Sequence, residues 1–165
     1  MVNDKVFQGL ASESNAIGTF GHGFTYSGHP VPAAVAIETL KIYDEIDIGA
    51  HVREVGPHMQ KALRDRFADH PLVGEVRGVG LIAAVELVAD KETRQNFDPK
   101  AKIGGRWVKL IEQNGVIGRT VPGESLCFSP PLIIKTSEID QMVDRIGRAL
   151  DELTVQLRRE KIALV

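Results

Sequence analysis

A mixed α/β fold of the α+β type, a small antiparallel sheet covered by helices on one face, is what this 165-residue sequence predicts. Three observations carry it. Long segments repeat apolar residues at three-and-four spacing, as in Val52, Val55, Met59, Leu63 and Phe67. Two β-rich runs, Leu72–Arg77 and Leu81–Val88, are separated only by Gly78, Val79 and Gly80, a link that allows an antiparallel reversal and no crossover. The pattern returns further on, where Val116–Arg119 and Ser125–Phe128 flank a turn at Pro122-Gly123.

Taken in order, the chain opens with a short helix over Lys5–Ala11, entered from a strand that would lie before Met1. A polar, glycine-rich stretch follows, and Pro30 then starts a helix to about Tyr43, proline being suited to a first turn that has no use for its N–H. Val31, Ala33, Ala34, Val35, Ala36 and Ile37 leave that helix almost no polar side, which predicts burial all round. Glu38, Lys41, Asp44 and Glu45 restore a solvent face. A second helix runs from about Ile48 to Ala68, capped by Asp47 and ended by His70-Pro71. The strand Leu81–Val88 is apolar on both faces except at Glu86, which places it in the middle of the sheet. Ala89–Lys100 reads as a polar loop. The next helix buries Ile103, Trp107, Leu110 and Ile111 and stops at Asn114-Gly115. Pro130-Pro131 breaks the ladder before Leu132–Ile134. Thr136 or Ser137 caps the last helix, whose stripe is Ile139, Met142, Val143, Ile146, Leu150 and Leu153. From Val155 the tail either packs or frays.

Composition bounds the function. Hydrophobic residues make up 43% and charged residues 25%, as in ordinary globular domains, and the length suits one domain. A net charge of −2 gives nucleic acid or a membrane surface no electrostatic footing. No apolar run nears the ~18 residues of a membrane span. The first residues lack the basic and apolar regions of a secretory signal. The single cysteine, Cys127, excludes an internal disulfide and a multi-cysteine metal site. Between Leu126 and Phe128 it is expected as a packed strand thiol, and the chain is expected to be cytoplasmic. His51 and His58 are expected at the surface and not as metal ligands.

Two places invite chemistry. In Gly21–Pro30 three glycines, Thr25 and Ser27 surround Phe24 and Tyr26, and backbone N–H groups with hydroxyls suit an anion such as phosphate. An ordinary turn before a helix fits those residues equally well; no lysine follows as in a Walker loop, and there is no GxGxxG pattern. Arg119 ends a strand beside a Thr/Pro/Gly turn able to move, and a guanidinium suits bidentate carboxylate contact; a plain strand-end arginine is the other reading. Arg77, beside the glycines, is expected in a pairing or capping role, contact with an anion being the other reading.

Gly21–Pro30 with its alanine-rich helix, then His70–Leu81 (HPLVGEVRGVGL), then Phe128–Leu132 (FSPPL), resemble in order and spacing the class III pyridoxal-phosphate aminotransferases, and most the ω-amino acid:pyruvate type. The resemblance covers nearly the whole chain and is to the C-terminal part of such enzymes. It implies the C-terminal small domain of fold-type I pyridoxal-phosphate enzymes over 31–165, preceded over 1–30 by a remnant of the large cofactor domain with a phosphate-binding loop. It implies that Thr25, with the backbone at Phe24, reaches across a dimer interface to the cofactor phosphate of the other subunit. It implies that Arg119 binds a substrate carboxylate and swings aside for uncharged substrates. The family's Schiff-base lysine would fall before Met1, and Lys5 sits in the wrong context to replace it, so the isolated chain is expected to lack a catalytic residue and turnover. A non-catalytic binding or regulatory module, or a structural remnant, are the alternatives. The apolar wall Val31–Ile37 and residues 1–20 would pack on the family's large domain, and left bare they imply a homo-oligomer or aggregation.

Overall fold

A computed structural model describes residues 2–18 and 20–162. The chain divides into two units, Met1–Ile42 and Tyr43–Val165, each described by itself.

In the first unit, α1 spans Asp4–Ile17, with the Asn3 side chain accepting the Val6 N–H at 3.0 Å and Gly18 ending it at φ +100°. It is longer than the helix expected over Lys5–Ala11. The helix α2, Pro30–Glu45, starts where its proline predicts, with the Ala33 N–H bonded to the His29 carbonyl. None of its residues is buried, which corrects the expectation for Val31–Ile37; Val31 is 64% exposed. An all-apolar helix surface makes burial favourable but does not itself supply a covering surface.

The second unit holds one four-stranded antiparallel sheet in the order β1-β2-β4-β3, with β1 Val73–Val79, β2 Ile82–Leu87, β3 Arg119–Val121 and β4 Ser125–Phe128. Its inner face is covered by α3 (Ile48–Phe67), α4 (Ile103–Gln113) and α5 (Thr136–Arg159). This is the predicted α+β architecture. Asp47 caps α3 as expected, its carboxylate accepting the Ala50 N–H at 3.1 Å. Val55, Met59, Leu63 and Phe67 face the core beside Ile103, Trp107, Leu110 and Ile111 of α4 and Ile139, Val143, Ile146, Leu150 and Leu153 of α5. Ile162, past α5, packs against that core, while 163–165 lie outside the described residues.

Several local expectations shift. The reversal is the two-residue turn Gly80-Leu81, with Gly80 left-handed at φ +56° where a type II′ turn requires it, so β1 continues through Gly78 and Val79. The strand β2 is central, but only Ala83, Val85 and Leu87 are buried; Ile82 points outward, 68% exposed. Residues 116–118 stay out of the ladder and β3 begins at Arg119, opposite Cys127. Residues 132–134 form a turn before α5. There the cap comes from Glu138, whose carboxylate accepts the Lys135 N–H at 2.8 Å, and not from Thr136 or Ser137. The half-buried His51 and His58 tie α3 to the chain around α5: an Nε2 atom of His51 lies 2.9 Å from the Ile134 carbonyl, and that of His58 lies 2.6 Å from the Asp140 carboxylate.

His70 locks the turn between α3 and β1. Its Nδ1 accepts the Leu72 N–H at 3.2 Å, and its Nε2 faces the Thr154 hydroxyl at 3.4 Å. Burial pushes its pKa below the usual 6.5, against the pull of Asp151 and with the help of Arg66, Lys91 and Arg158. A proton therefore binds the unfolded chain more readily than the folded one. The stability His70 contributes is fully present above about 6.5 and is lost as pH falls through its lower folded value. Urea midpoints measured at neutrality and about one pH unit below 6.5 are expected to drop for the wild type and to drop less for His70→Asn, whose Oδ1 can still accept the Leu72 N–H. An equal drop in both proteins overturns this.

Candidate functional site

In the first unit the His22 ring lies 5.7 Å from that of Phe20 and 5.6 Å from that of Phe24, centroid to centroid. A turn over residues 25–28 follows. The Ser27 N–H bonds to the Phe24 carbonyl at 3.0 Å, and the Ser27 hydroxyl receives the Phe24 N–H at 3.2 Å. Gly28 closes the turn at φ +76°, a conformation that would strain any residue with a Cβ. With Phe24 N–H engaged, the Thr25 N–H and hydroxyl have no hydrogen-bond partner among the described residues and stand exposed. No carboxylate occurs between Phe20 and Pro30. An anion such as a cofactor phosphate fits this donor set, because unpaired N–H and O–H groups without a neighbouring negative charge favour charge-assisted bonds.

In the second unit the strand register builds one row across the sheet face turned away from the helices. Arg77 pairs with Ala84, Ala84 with Cys127, and Cys127 with Arg119. The two arginines therefore stand at opposite edges of the same face, in different electrostatic states. Arg77 bonds to Glu86 at 2.6 Å, Glu75 at 2.8 Å and Ser125 at 3.3 Å, as its expected pairing role requires. Glu86 first, then Glu75, hold its proton still more firmly than usual. It also relieves the two carboxylates, which face each other across β1 and β2. The side chain of Arg119 makes no ion pair or hydrogen bond among the described residues, and it is exposed.

Arg119 lines a cavity of about 390 Å³, within the range of small-molecule sites. The cavity opens where the β3–β4 ladder ends: residues 116–118 and 128–131 splay apart there, with Ile134, Met142 and Ile146 beneath. Cys127 lies at its rim and is exposed, which corrects the expectation of a packed thiol. The alternation of a strand explains it: Leu126 and Phe128 turn inward, so the residue between them turns outward.

Phe24 and Thr25 thus share one loop, and Arg119 stands in the other unit. Sequence reasoning missed Ser27 as the lock of the Phe24 turn, Ile117, Met142 and Ile146 as cavity lining, and Glu124, whose carboxylate receives the Gly104 N–H and caps α4. Ser27 was legible as a turn residue; the cavity lining had no local signal. Among the described residues, no three His, Cys, Asp or Glu side chains gather into a metal-binding group, and no helix is long and apolar enough to cross a membrane.

The first unit thus carries a turn whose free donors are compatible with an anion, and the second an exposed arginine, unpaired among the described residues, beside an apolar cavity. The chain belongs to the class-III aminotransferases, whose family model it matches over residues 1–150. It is 41% identical over 161 residues to an uncharacterized aminotransferase of Sinorhizobium fredii, covering 97% of this chain and 34% of that protein. It is 42% identical to the chloroplastic gamma aminobutyrate transaminase 3 of Solanum lycopersicum, covering 92% and 29%. The omega transaminase of Pseudomonas jessenii in complex with PMP superposes with a TM-score of 0.78 at 43% identity, over 94% of this chain and 34% of that one. The chain thus spans about a third of the length of these relatives. Membership of the family implies pyridoxal phosphate as cofactor.

Proposed function

We propose that this chain is the C-terminal, anion-binding part of an ω-type aminotransferase that moves an amino group between an amine or ω-amino acid and a keto acid such as pyruvate. Residues 1–30 then belong to the large cofactor domain with its phosphate-binding loop, and 31–165 form the small domain. The observation that carries the reading is Arg119: exposed, unpaired among the described residues, and beside a cavity, while Arg77 in the same row is neutralised by two carboxylates. Bound pyridoxal phosphate would supply the electron sink for amino transfer. The chain's own residues supply binding: the Thr25 hydroxyl and N–H hold the phosphate of the neighbouring subunit's cofactor, joined by the Phe24 N–H once it exchanges the Ser27 hydroxyl for a phosphate oxygen, and the Arg119 guanidinium orients a substrate carboxylate. The bare face of α2 supports a homo-oligomer. The unpaired surface thiol of Cys127 suits the reducing cytoplasm.

Joined to the large-domain portion of an ω-transaminase, the chain is expected to support turnover with pyruvate. Arg119→Ala should then raise KM for carboxylate-bearing substrates about ten- to a hundredfold, the worth of a charge-assisted hydrogen-bonded pair, and leave an uncharged amine within a few fold. An equal rise for both substrate types overturns the role of Arg119. The 165 residues alone, mixed with pyridoxal phosphate and reduced with borohydride, are expected to yield neither a stoichiometric pyridoxyl-lysine at one position nor turnover; both together would overturn the incompleteness of the isolated chain. Saturable phosphate binding by the isolated chain, weakened by Thr25→Ala, would favour the binding-module reading.

A further inference from the structure

Arg119 accounts for only one wall of its cavity. The splayed ends of β3 and β4 open onto Ile117, Leu126, Phe128, Ile134, Met142 and Ile146, and no carboxylate lines the space. Ile117 is 95% exposed at the entrance, while Ile146 in the floor is 2% exposed, so the cavity runs from solvent to the apolar core. A cation at the rim and hydrocarbon behind it form the complement of an amphipathic anion. Resting on the reading of Arg119 as a carboxylate-binding residue, we infer that this cavity takes the aliphatic chain of a medium-length monocarboxylate whose head group is held by Arg119. The carboxylate favoured at this site then carries an apolar tail, and as a substrate it bears in addition the amino or keto group that reacts. A compact acid such as pyruvate uses the guanidinium and leaves the cavity unfilled.

The geometry provides its own reporter. Cys127 is the chain's only cysteine, it is exposed, and it lines the cavity in register with Arg119. Its alkylation by neutral iodoacetamide therefore reads occupancy of this cavity and not of the bare α2 surface. Butanoate, hexanoate and octanoate are expected to slow alkylation of the 165-residue chain with rising affinity, about three- to fourfold for each methylene buried. Arg119→Ala should weaken all three by about tenfold or more and keep the dependence on length. Ile117→Asp, at a position too exposed to disturb the fold, should weaken octanoate protection while the thermal midpoint stays unchanged. Octylamine should give no comparable protection. Equal affinity for butanoate and octanoate, with Arg119 still required, overturns the cavity while leaving the carboxylate role of Arg119 intact. Protection by octylamine equal to that by octanoate, or none lost in Arg119→Ala, overturns that role as well.

Discussion

Trp107→Ala is expected to destabilise the second unit by about 3–5 kcal/mol, the range for removing a buried aromatic from a packed core. Trp107 is fully buried, meets Phe67 of α3 edge-on at 6.2 Å between ring centroids, and directs its Nε1 toward the Ile146 carbonyl of α5 at 3.4 Å. The residue thus joins α3, α4 and α5 at one point. Its loss removes transfer energy and opens a cavity that three separate helices cannot close together. The Ile146 carbonyl adds little, because it belongs to a helix and keeps its backbone setting. Denaturant unfolding followed by circular dichroism checks this, since the chain's only tryptophan is gone in the variant. A loss below about 1.5 kcal/mol would show that the core repacks, as volume-conserving changes do.

The second large effect is a contrast of sign between two helical glycines. At Gly56 of α3, a Cβ would sit 2.9 Å from the Gly80 Cα and 3.2 Å from its carbonyl carbon, backbone against backbone. One turn on, Gln60 donates to the Gly80 and Ile82 carbonyls at 3.0 and 3.2 Å, so the helix and the hairpin turn are clamped where they touch. Gly56→Val must push the hairpin off the helix and loosen the Gln60 clamp on the Gly80 and Ile82 carbonyls. A destabilisation of about 3 kcal/mol is expected from overpacking, far above the few tenths gained in helix propensity. At Gly105 of α4, nothing lies within 4 Å of the added Cβ and the residue is exposed. There Gly105→Ala is expected to stabilise by about 0.5–1 kcal/mol, because only the entropy of the unfolded chain changes. Urea midpoints for both variants decide the matter; equal signs would mean that the close approach at Gly56 relaxes without cost.

Much of the fold was legible in the sequence because its signals are local. The stripes of α3, α4 and α5 are one-dimensional patterns, and each lands in the core as read. Asp47 and Asn114-Gly115 mark helix ends through chemistry that acts within a few residues. The alternation around Cys127 was also in the sequence; its outward orientation follows from period two, while reading Leu126 and Phe128 as neighbours in space led the other way. The turn at Gly80 was displaced because three candidate residues offer two glycines, and the pairing of Val79 with Ile82 decides between them. The bare surface of α2 was not legible, since burial depends on what lies opposite a helix and not on its own composition.

The same division holds at the candidate site. The glycines and hydroxyls of the loop before Pro30 and the place of Arg119 at a strand end are local facts. The resemblance to the class III enzymes attached a phosphate to the first and a carboxylate to the second. By itself the sequence determined the helices, the antiparallel strands, the family, and the residue types available for binding an anion. Tertiary structure alone decided that Arg77 is held by Glu75 and Glu86 while Arg119, in the same row, keeps its charge unshared among the described residues. It also decided that the ladder ends at Arg119 and opens a cavity there. Cross-strand register sets the Arg77–Glu86 contact and the end of the β3–β4 ladder, and the composition of a strand does not specify which charge on its neighbour it will meet.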